Sequence, residues 1–300
     1  MSGKMMNDTN SKVYIVPLVD VNWLTFAPFD PARDFRIDPP KVEQSIGETR
    51  NLCDILRDLT DGKTVLTPHS GTYCRSGYYE GEFIDIYRSV IANGGEVAVH
   101  LHEEIKGGGT RFGDKEHIRE VFFACKQKYS GAEIPCRSYR GGHSAYAPFM
   151  NGFMKEADMD IDFSCAPGLN MPDREAIWVE AGLSGYYLAS NPRDPSTPDR
   201  SHSQVFEIPI GSDGEGAAYG NILHIEQSNL ENLMRIWNLI VDRAQAQDTP
   251  QIVHSLFHTG SMSQPDNVER FKRFLEFMPA NGGVFVTPSE AKIIYDSLET

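Results

Sequence analysis

The sequence of 300 residues lacks any long apolar run, internal repeat or low-complexity tract. No stretch approaches the about 20 consecutive apolar residues that a membrane-spanning helix requires. Residues 1–12 are polar and have no apolar centre of the kind found in secretory signals, so we predict a disordered N-terminal segment there. Together these absences predict a cytoplasmic protein without a membrane span.

Cysteine is also scarce, with five residues, and no two have the Cys-x-x-Cys spacing of a thiolate metal site. An odd number of scattered cysteines is typical of a reducing compartment, where disulfides are rare. We therefore predict that the cysteines are small buried hydrophobes.

Basic side chains are outnumbered, because 42 acidic and 28 basic residues give a formal net charge of −14 without a long run of one sign. Such a charge disfavours phosphate backbones and anionic lipid surfaces. It excludes nucleic acid as the main partner and favours a neutral or cationic ligand. The acidic surface permits a homodimer without requiring one.

What the sequence does contain is an alternation of strand-like and helix-like segments. Apolar runs typical of buried strands lie at residues 13–21, 64–67, 96–100, 205–210, 251–257 and 283–286. Apolar residues at helical spacing lie at residues 42–59, 79–92, 115–129, 230–246 and 267–278. A capping box at Thr287 and Glu290 predicts a last helix. This order predicts parallel βαβ units in one α/β domain spanning residues 13–300, with the irregular stretch 191–203 as a binding rim.

The strand that ends at His100 and His102 is the strongest functional signal. Residues two apart on a strand share a face, so the two imidazoles are displayed together, with Glu104 close behind. Imidazole and carboxylate are ligands of zinc and similar divalent ions. A lone His-x-His would more often be one core and one exposed histidine, so the metal-site interpretation depends on the other strands.

Several predicted strands finish on residues suited to metal binding or acid–base chemistry. The carboxyl ends of parallel strands converge on one face, which is where such folds build their sites. The residues at these ends are Asp20, Asn22, His69, His100, His102 and His258.

Six motifs, taken in order, resemble those of the polysaccharide deacetylase family, the carbohydrate esterases built on the chitooligosaccharide deacetylase domain. Each is weak alone, and their order makes them specific. The matching segments are residues 18–22 (Leu-Val-Asp-Val-Asn), 94–104 (Gly-Gly-Glu, then the histidines), 139–142 (Tyr-Arg-Gly-Gly), 160–168 (Asp-Ile-Asp-Phe-Ser-Cys-Ala-Pro-Gly), 206–210 (Phe-Glu-Ile-Pro-Ile) and 256–258 (Leu-Phe-His).

The resemblance implies an imperfectly closed (β/α)7 barrel and a metal-dependent hydrolysis. In the family an Asp and two His hold the divalent ion, a second Asp is the general base, an Arg orients that Asp, and a His protonates the leaving amine. Carried over, this implies catalytic roles for Asp20, Arg140 and His258. It implies a divalent metal cofactor, zinc in the first place, held by Asp20, His100 and His102, with Glu104 as an alternative ligand.

The sequence departs from the family at two positions. Asn22 stands where a second acid is expected, and Glu104 stands where the second histidine usually lies, so that His102 supplies a shorter His-x-His form. Either Asp20 is a metal ligand and the base is missing or elsewhere, or Asp20 is the base and the metal is weakly held.

Further candidates surround the proposed centre and are assigned to substrate binding. Glycine after Arg140 lets a ligand approach closely, and aromatic rings near the mouth can stack on sugars. The substrate-binding candidates are Asn22, His69, Gly142, His143, Tyr146 and Trp23. Nothing indicates a function for His117, His202 or His224, and His254 in mid-strand is predicted to be a core residue.

The combined prediction is a hydrolase that removes an N-acyl group from an amino sugar of a cell-surface polysaccharide or its precursor. Two alternatives stay open: an amidohydrolase or deformylase acting on a small substrate, and a degenerate domain that binds a glycan without cleaving it. The partner in the first and third cases is a carbohydrate.

Overall fold

A computed structural model of the chain describes residues 12–22, 42–71, 77–103, 109–189, 191 and 204–298. The predicted disordered segment 1–12 and the predicted rim 191–203 fall almost wholly outside the described residues, and so do Trp23 and Glu104. Cys53, Cys125, Cys136 and Cys165 are free thiols, and all but Cys53 are buried.

Strands and helices alternate through the first half of the chain and again near its end. The strands are β1 (Val13–Val21), β2 (Val65–Gly71), β3 (Glu96–His102), β4 (Ser138–Gly141), β5 (Ile161–Asp162), β6 (Asn170–Met171), β7 (Ala176–Ile177), β8 (Tyr186–Tyr187), β9 (Phe206–Glu207), β10 (Gln251–His258) and β11 (Gly283–Phe285). The helices are α1 (Val42–Thr60), α2 (Glu82–Ala92), α3 (Lys115–Gly131), α4 (Met150–Glu156), α5 (Leu230–Gln247), α6 (Pro265–Ala280) and α7 (Pro288–Leu298).

The strands form a curled parallel sheet in the order β10-β1-β2-β3-β4-β5-β9, with β8 antiparallel to β9 and β11 pairing with β1. Beyond β9 the regular pairing with β5 ends, although the Ile210 amide still donates to the Cys165 carbonyl (3.0 Å), and Ile210 forms a single bridge to His254 of β10. The predicted imperfectly closed (β/α) barrel is therefore confirmed. The strand predicted at 205–210 is shorter because of this change of partner.

Two hydrophobic cores lie on the two faces of the sheet, which is why its strands are apolar on both sides. The outer core packs helices α1 to α6 against residues such as Val19, Val97 and Phe257. The inner core lies inside the curl and contains Leu18 and Leu256. Strand residues therefore alternate between the cores, and every second side chain points inward.

Helix boundaries follow local capping chemistry. The predicted capping box is confirmed at α7, where the Thr287 amide donates to Glu290 (2.9 Å) and the Glu290 amide donates to the Thr287 hydroxyl (3.3 Å). Helix α2 begins at Glu82 rather than at residue 79, because Gly81 at its N-cap has φ +56° and a 3-10 turn, Gly77–Tyr79, precedes it. Among the described residues, no helix has both the length and the apolarity needed to cross a bilayer.

Candidate active site

The inward-facing alternation carries polar side chains onto one rim of the sheet. Two residues beyond Leu18 is Asp20, and two beyond Leu256 is His258, so the inner core turns polar at the carboxyl ends of the strands. Register then sets the neighbours: Asp20 pairs with His258 across β1 and β10 and with Thr67 across β1 and β2. The same rim continues through β3 and β4, where His100 pairs with Arg140.

Asp20 is the centre of this rim and is buried. Its Oδ1 accepts a hydrogen bond from Arg140 Nε (3.0 Å), and it also accepts one from the Thr67 hydroxyl. His100 Nδ1 lies 3.1 Å from the same oxygen, and His258 Nε2 lies 3.3 Å from Oδ2. The carboxylate is thus contacted by four side chains, each from a different strand.

These partners keep Asp20 ionised. Burial by itself raises the pKa of a carboxyl, but the Arg140 charge, followed by His100 and His258, more than offsets it and holds the pKa of Asp20 well below its usual range. Arg140 is fixed in turn, because its Nη1 donates to the Phe163 carbonyl (2.9 Å). A carboxylate held in this way can accept a proton from a substrate water.

His258 is held on its far side by Glu226, whose carboxylate forms an ion pair with His258 Nδ1. Burial lowers the pKa of His258, but Glu226 and then Asp20 raise it to about 10. Burial would also raise the pKa of Glu226, yet His258 and then His224 lower it to about 2. His258 is therefore an imidazolium at neutral pH, between two carboxylates.

Sequence patterns missed Glu226 and gave no role to His224. Both lie in irregular chain around a 3-10 turn, Ile225–Gln227, where no periodicity marks a residue as inward-facing. They reach the rim because His224 forms a parallel bridge to Leu256, two residues before His258. His224 Nε2 lies 3.2 Å from Glu226 Oε1.

Three imidazoles form a cluster on the other side of Asp20. His69, His100 and His102 are buried, with ring centroids 4.4 Å (His69 to His100), 4.4 Å (His69 to His102) and 5.1 Å (His100 to His102) apart. One nitrogen from each lies within 4.8 Å of one from each of the others. Burial, followed by the neighbouring histidines His100 and His102, lowers the pKa of His69 well below its usual range, and burial lowers that of His100 to about 4. Neutral imidazoles with free lone pairs are what a divalent metal binds.

The chain after β4 lies directly over this cluster. A Cβ on Gly142 would lie 2.6 to 2.8 Å from His102 ring atoms, so only glycine fits there. His143 follows with a left-handed backbone (φ +54°), and its ring packs edge-on to His102 at 4.9 Å. Arg174 Nη1 lies 3.1 Å from His143 Nδ1. Gly142, His143 and Arg174 therefore border the opening of the site.

The remaining predicted residues are placed differently. Asn22 is buried, and its side-chain oxygen accepts from the Gly260 amide (3.2 Å), so it ties β1 to the chain after β10. The prediction that Tyr146 binds substrate is not supported, because it packs in the outer core against Trp178 and its hydroxyl donates to Asn151 Oδ1 (2.8 Å). His254 is buried, as predicted, with Nδ1 2.7 Å from the Ile208 carbonyl.

No model of a known protein family matches the chain, and no curated protein matches it in sequence. Solved structures do match it in fold. A protein assigned as a polysaccharide deacetylase from Mycobacterium smegmatis superposes with a TM-score of 0.60 at 13% identity, covering 96% of this chain and 92% of that one. The PuuE allantoinase gives a TM-score of 0.62 at 10% identity, covering 96% and 92%. A protein assigned as a polysaccharide deacetylase from Pseudomonas aeruginosa PAO1 gives 0.60 at 10% identity, covering 95% and 91%.

Proposed function

Starting from a chain with the fold of polysaccharide deacetylases and an allantoinase, we propose that it is a metal-dependent hydrolase of a non-peptide carbon–nitrogen bond. Its substrate is an N-acylated, in the first place N-acetylated, amino sugar of a cell-surface polysaccharide or its precursor. The observation that carries the proposal is the rim itself. A buried ionised carboxylate, Asp20, lies between the imidazolium of His258 and a cluster of three buried imidazoles.

In this proposal Asp20 is the general base. Its low pKa keeps it unprotonated across the physiological range, and the Arg140 guanidinium fixes its position through Nε. Arg140 cannot swing away easily, because Nη1 is bonded to the Phe163 carbonyl. A base fixed within hydrogen-bond reach of a water contributes about 10²–10⁴-fold to the rate.

His258 is the general acid, and its Nε2 lies 3.3 Å from Asp20 Oδ2, beside the base. It is protonated in the resting enzyme and is held by Glu226, so it can deliver a proton to the departing amine. Amines leave slowly as anions, and protonation during bond cleavage removes that barrier. Base and acid lie on paired strands, β1 and β10, so the two proton transfers take place side by side.

The imidazole cluster fits a divalent metal ion. Within the described part of the chain, His100 Nε2 is a buried ring nitrogen with no hydrogen-bond partner, which is costly unless a ligand occupies it. His100 and His102 would hold the ion, and imidazole nitrogens are ligands that zinc takes in catalytic sites. When bound, the ion would supply a Lewis acid that polarises the amide carbonyl and acidifies water.

The test is acetate release from N-acetylglucosamine oligomers by protein stripped with a chelator and then reloaded with Zn²⁺. Activity should disappear on stripping and return on reloading. Asp20→Asn should lower kcat by about 10²–10⁴-fold, whereas Asp266→Asn, an exposed aspartate on α6, should leave it unchanged. Acetate release that ignores chelation, or that survives Asp20→Asn, would contradict the proposal.

A second candidate, ring opening of a small cyclic amide, is favoured by the fold match to the PuuE allantoinase. The same base and acid would serve it, since the bond cleaved is again an amide carbon–nitrogen bond. Assaying allantoin and an unsubstituted hydantoin beside the sugar oligomers separates the two. Turnover of the cyclic amides without acetate release would select the second function, and binding of sugar oligomers with no turnover of either substrate would select a glycan-binding domain.

A further inference from the structure

We infer that the metal site is a set of three imidazoles, His69, His100 and His102, and that Asp20 is not a ligand. The inference rests on the proposed function in one respect only, that a divalent ion binds at this rim. It changes what each residue does there: His69 becomes a metal ligand rather than a substrate contact, and Asp20 is left for proton transfer.

Backbone register brings His69 into the set. It pairs with His100 across β2 and β3, and the alternation of β2 turns Val65, Thr67 and His69 to the same inner face. His102, two residues beyond His100, pairs with Gly71. The three rings therefore stand on two adjacent strands, His69 beside His100 and His102 two residues further along β3.

The orientation of His100 defines where an ion would lie. Its Nδ1 faces Asp20 Oδ1 at 3.1 Å and the Thr67 carbonyl at 3.2 Å, which fixes the tautomer with the proton on Nδ1. Nε2 is then the lone-pair nitrogen, and it is the buried atom left without a hydrogen-bond partner. It is aimed away from Asp20, as a ligand oriented by a carboxylate behind it would be.

Asp20 Oδ1, the carboxylate oxygen that faces His100, has no such spare capacity. It receives Thr67, Arg140 and His100, and Asp20 Oδ2 lies 3.3 Å from both Arg140 Nε and His258 Nε2. To ligate a metal it would have to give up part of a buried ion pair with Arg140. Breaking a buried ion pair leaves an uncompensated charge, which is strongly unfavourable.

This ligand set resolves the difficulty created by Asn22. With one acid in place of two, Asp20 would have to serve both as ligand and as base. Asn22 cannot relieve it, because its side-chain oxygen already accepts from the Gly260 amide. His69 supplies the missing ligand instead, so the single acid is free to be the base.

Three neutral ligands have a chemical consequence. An ion bound by imidazoles alone keeps its full charge of +2, whereas a carboxylate ligand would reduce it. Such a set selects Zn²⁺ or Co²⁺ and discriminates against Mg²⁺ and Ca²⁺, which need oxygen donors. Substrate carbonyl and water are polarised more strongly by the more highly charged centre.

The decisive experiment measures metal binding, not activity. Zn²⁺ content after dialysis against a metal buffer is compared for the native chain, His69→Gln, Asp20→Asn and the matched control His117→Gln, a histidine outside the cluster. We expect His69→Gln to lose far more than a hundredfold in affinity. Asp20→Asn should lose only about 10–100-fold, as removal of a group behind a ligand does, and His117→Gln should lose nothing.

The reverse order, with Asp20→Asn abolishing metal binding and His69→Gln retaining it, would overturn the inference while leaving a metal enzyme in place. A native chain that binds no Zn²⁺ would overturn the proposed function and this inference together. Should His69→Gln not fold, the native chain still decides. Its Co²⁺ form should show three paramagnetically shifted, exchangeable imidazole N–H resonances by ¹H NMR, and two would refute the three-histidine site.

Discussion

Histidines lie on the same rim on either side of one aspartate, and the pKa of His258 is shifted in the opposite direction from those of His69 and His100. His69 and His100, on β2 and β3, are buried among other imidazoles, and burial keeps them neutral. His258, on β10, is also mostly buried, yet it is held between Asp20 and Glu226 and stays protonated. Burial alone would make all three histidines neutral, so the neighbouring carboxylates are what keep His258 protonated.

The difference divides the chemistry of the site. A neutral imidazole offers a lone pair and can be a metal ligand, whereas an imidazolium offers a proton and can be an acid. Asp20 contacts both sides, because its Oδ1 lies near His100 and its Oδ2 lies near His258. Any change that moves a charge from one side to the other should therefore alter one function and spare the other.

Removing the Glu226 carboxylate should have the largest effect on the difference between the two sides of the rim. In Glu226→Gln the charge that raises the pKa of His258 most is absent, so that pKa should fall and the imidazolium should be lost at alkaline pH. We expect kcat to fall by about 10²-fold at pH 9 and by much less at pH 6, measured as a pH–rate profile. Zn²⁺ affinity should stay unchanged, because Glu226 is on the acid side.

Stability gives an independent measure of the same pair. His258 has a folded pKa of about 10 against an ordinary value of 6.5, so its stabilising contribution is complete below pH 6.5 and is lost as pH rises toward 10. Glu226, with a pKa lowered to about 2 from 4.5, loses its contribution as pH falls below 4.5. Native Tm should therefore decline between pH 6.5 and 10 more steeply than that of Glu226→Gln. If native Tm and the Tm of Glu226→Gln declined equally with pH, the ion pair between His258 and Glu226 would be contradicted. The same conclusion would follow if Glu269→Gln, at an exposed position, had as large an effect as Glu226→Gln.

A smaller effect is expected from displacing His102, which belongs to the imidazole cluster. A methyl group on Gly142 would lie 2.6 Å from His102 Cδ2, so Gly142→Ala should push that ring out of place. We expect Zn²⁺ affinity to fall by about 10–100-fold, measured by competition with a chelator, and the pH–rate profile of the remaining activity to keep its shape. Gly152→Ala on α4 is the control, since a methyl group there meets nothing within 4 Å. Unchanged affinity in Gly142→Ala would show that His102 is not held in the cluster.

Much of this arrangement was predictable, because periodicity and strand ends carry it. Strand β1 has the predicted bounds, and Asp20, His69, His100 and His258 all lie at the predicted strand ends. The rule that parallel strands end on one face was enough to place these residues together. That rule does not predict which nitrogen or oxygen atom faces which neighbour, because this depends on side-chain rotamers and strand register.

The parts that could not be predicted come from irregular chain. Glu226 has no periodic context, and it reaches His258 only through the bridge between His224 and Leu256. Tyr146 was expected at the mouth because aromatic rings often bind sugars, but it follows the left-handed residues His143 and Ser144, after which the chain turns back into the outer core. Where the backbone reverses in this way, distance along the sequence no longer indicates distance from the site.

The smallest predicted effect concerns a buried pair of carboxyl groups, which can be compared with Asp20. Asp162 and Glu207 are buried neighbours on β5 and β9. Burial, followed by the charge of Asp162 and the hydrogen bond to it, raises the pKa of Glu207 well above its ordinary value of 4.5. Arg140 donates directly to Asp20, whereas at Glu207 its charge is a minor influence, so burial raises the pKa of Glu207 while that of Asp20 is lowered.

The sign of the resulting pH dependence follows from linkage. An acid whose folded pKa is raised stabilises the fold at low pH and loses that contribution as pH rises above 4.5. Glu207→Gln mimics the protonated form and keeps the oxygen that accepts from the Cys165 amide (3.1 Å). Its Tm should exceed that of the native chain by an amount that grows as pH rises above 4.5. In a protein of this size about 1 kcal/mol corresponds to a few degrees.

The exposed Glu276→Gln on α6 should run parallel to the native chain at every pH. Asp162→Asn supplies the stricter test, because it removes the charge that, after burial, raises the pKa of Glu207. The pH slope of its Tm should be shallower than the native slope even though Glu207 is still present. An unchanged slope in Asp162→Asn would mean that burial alone sets the charge of Glu207, and the contrast with Asp20 would then reflect Arg140 and nothing else on the rim.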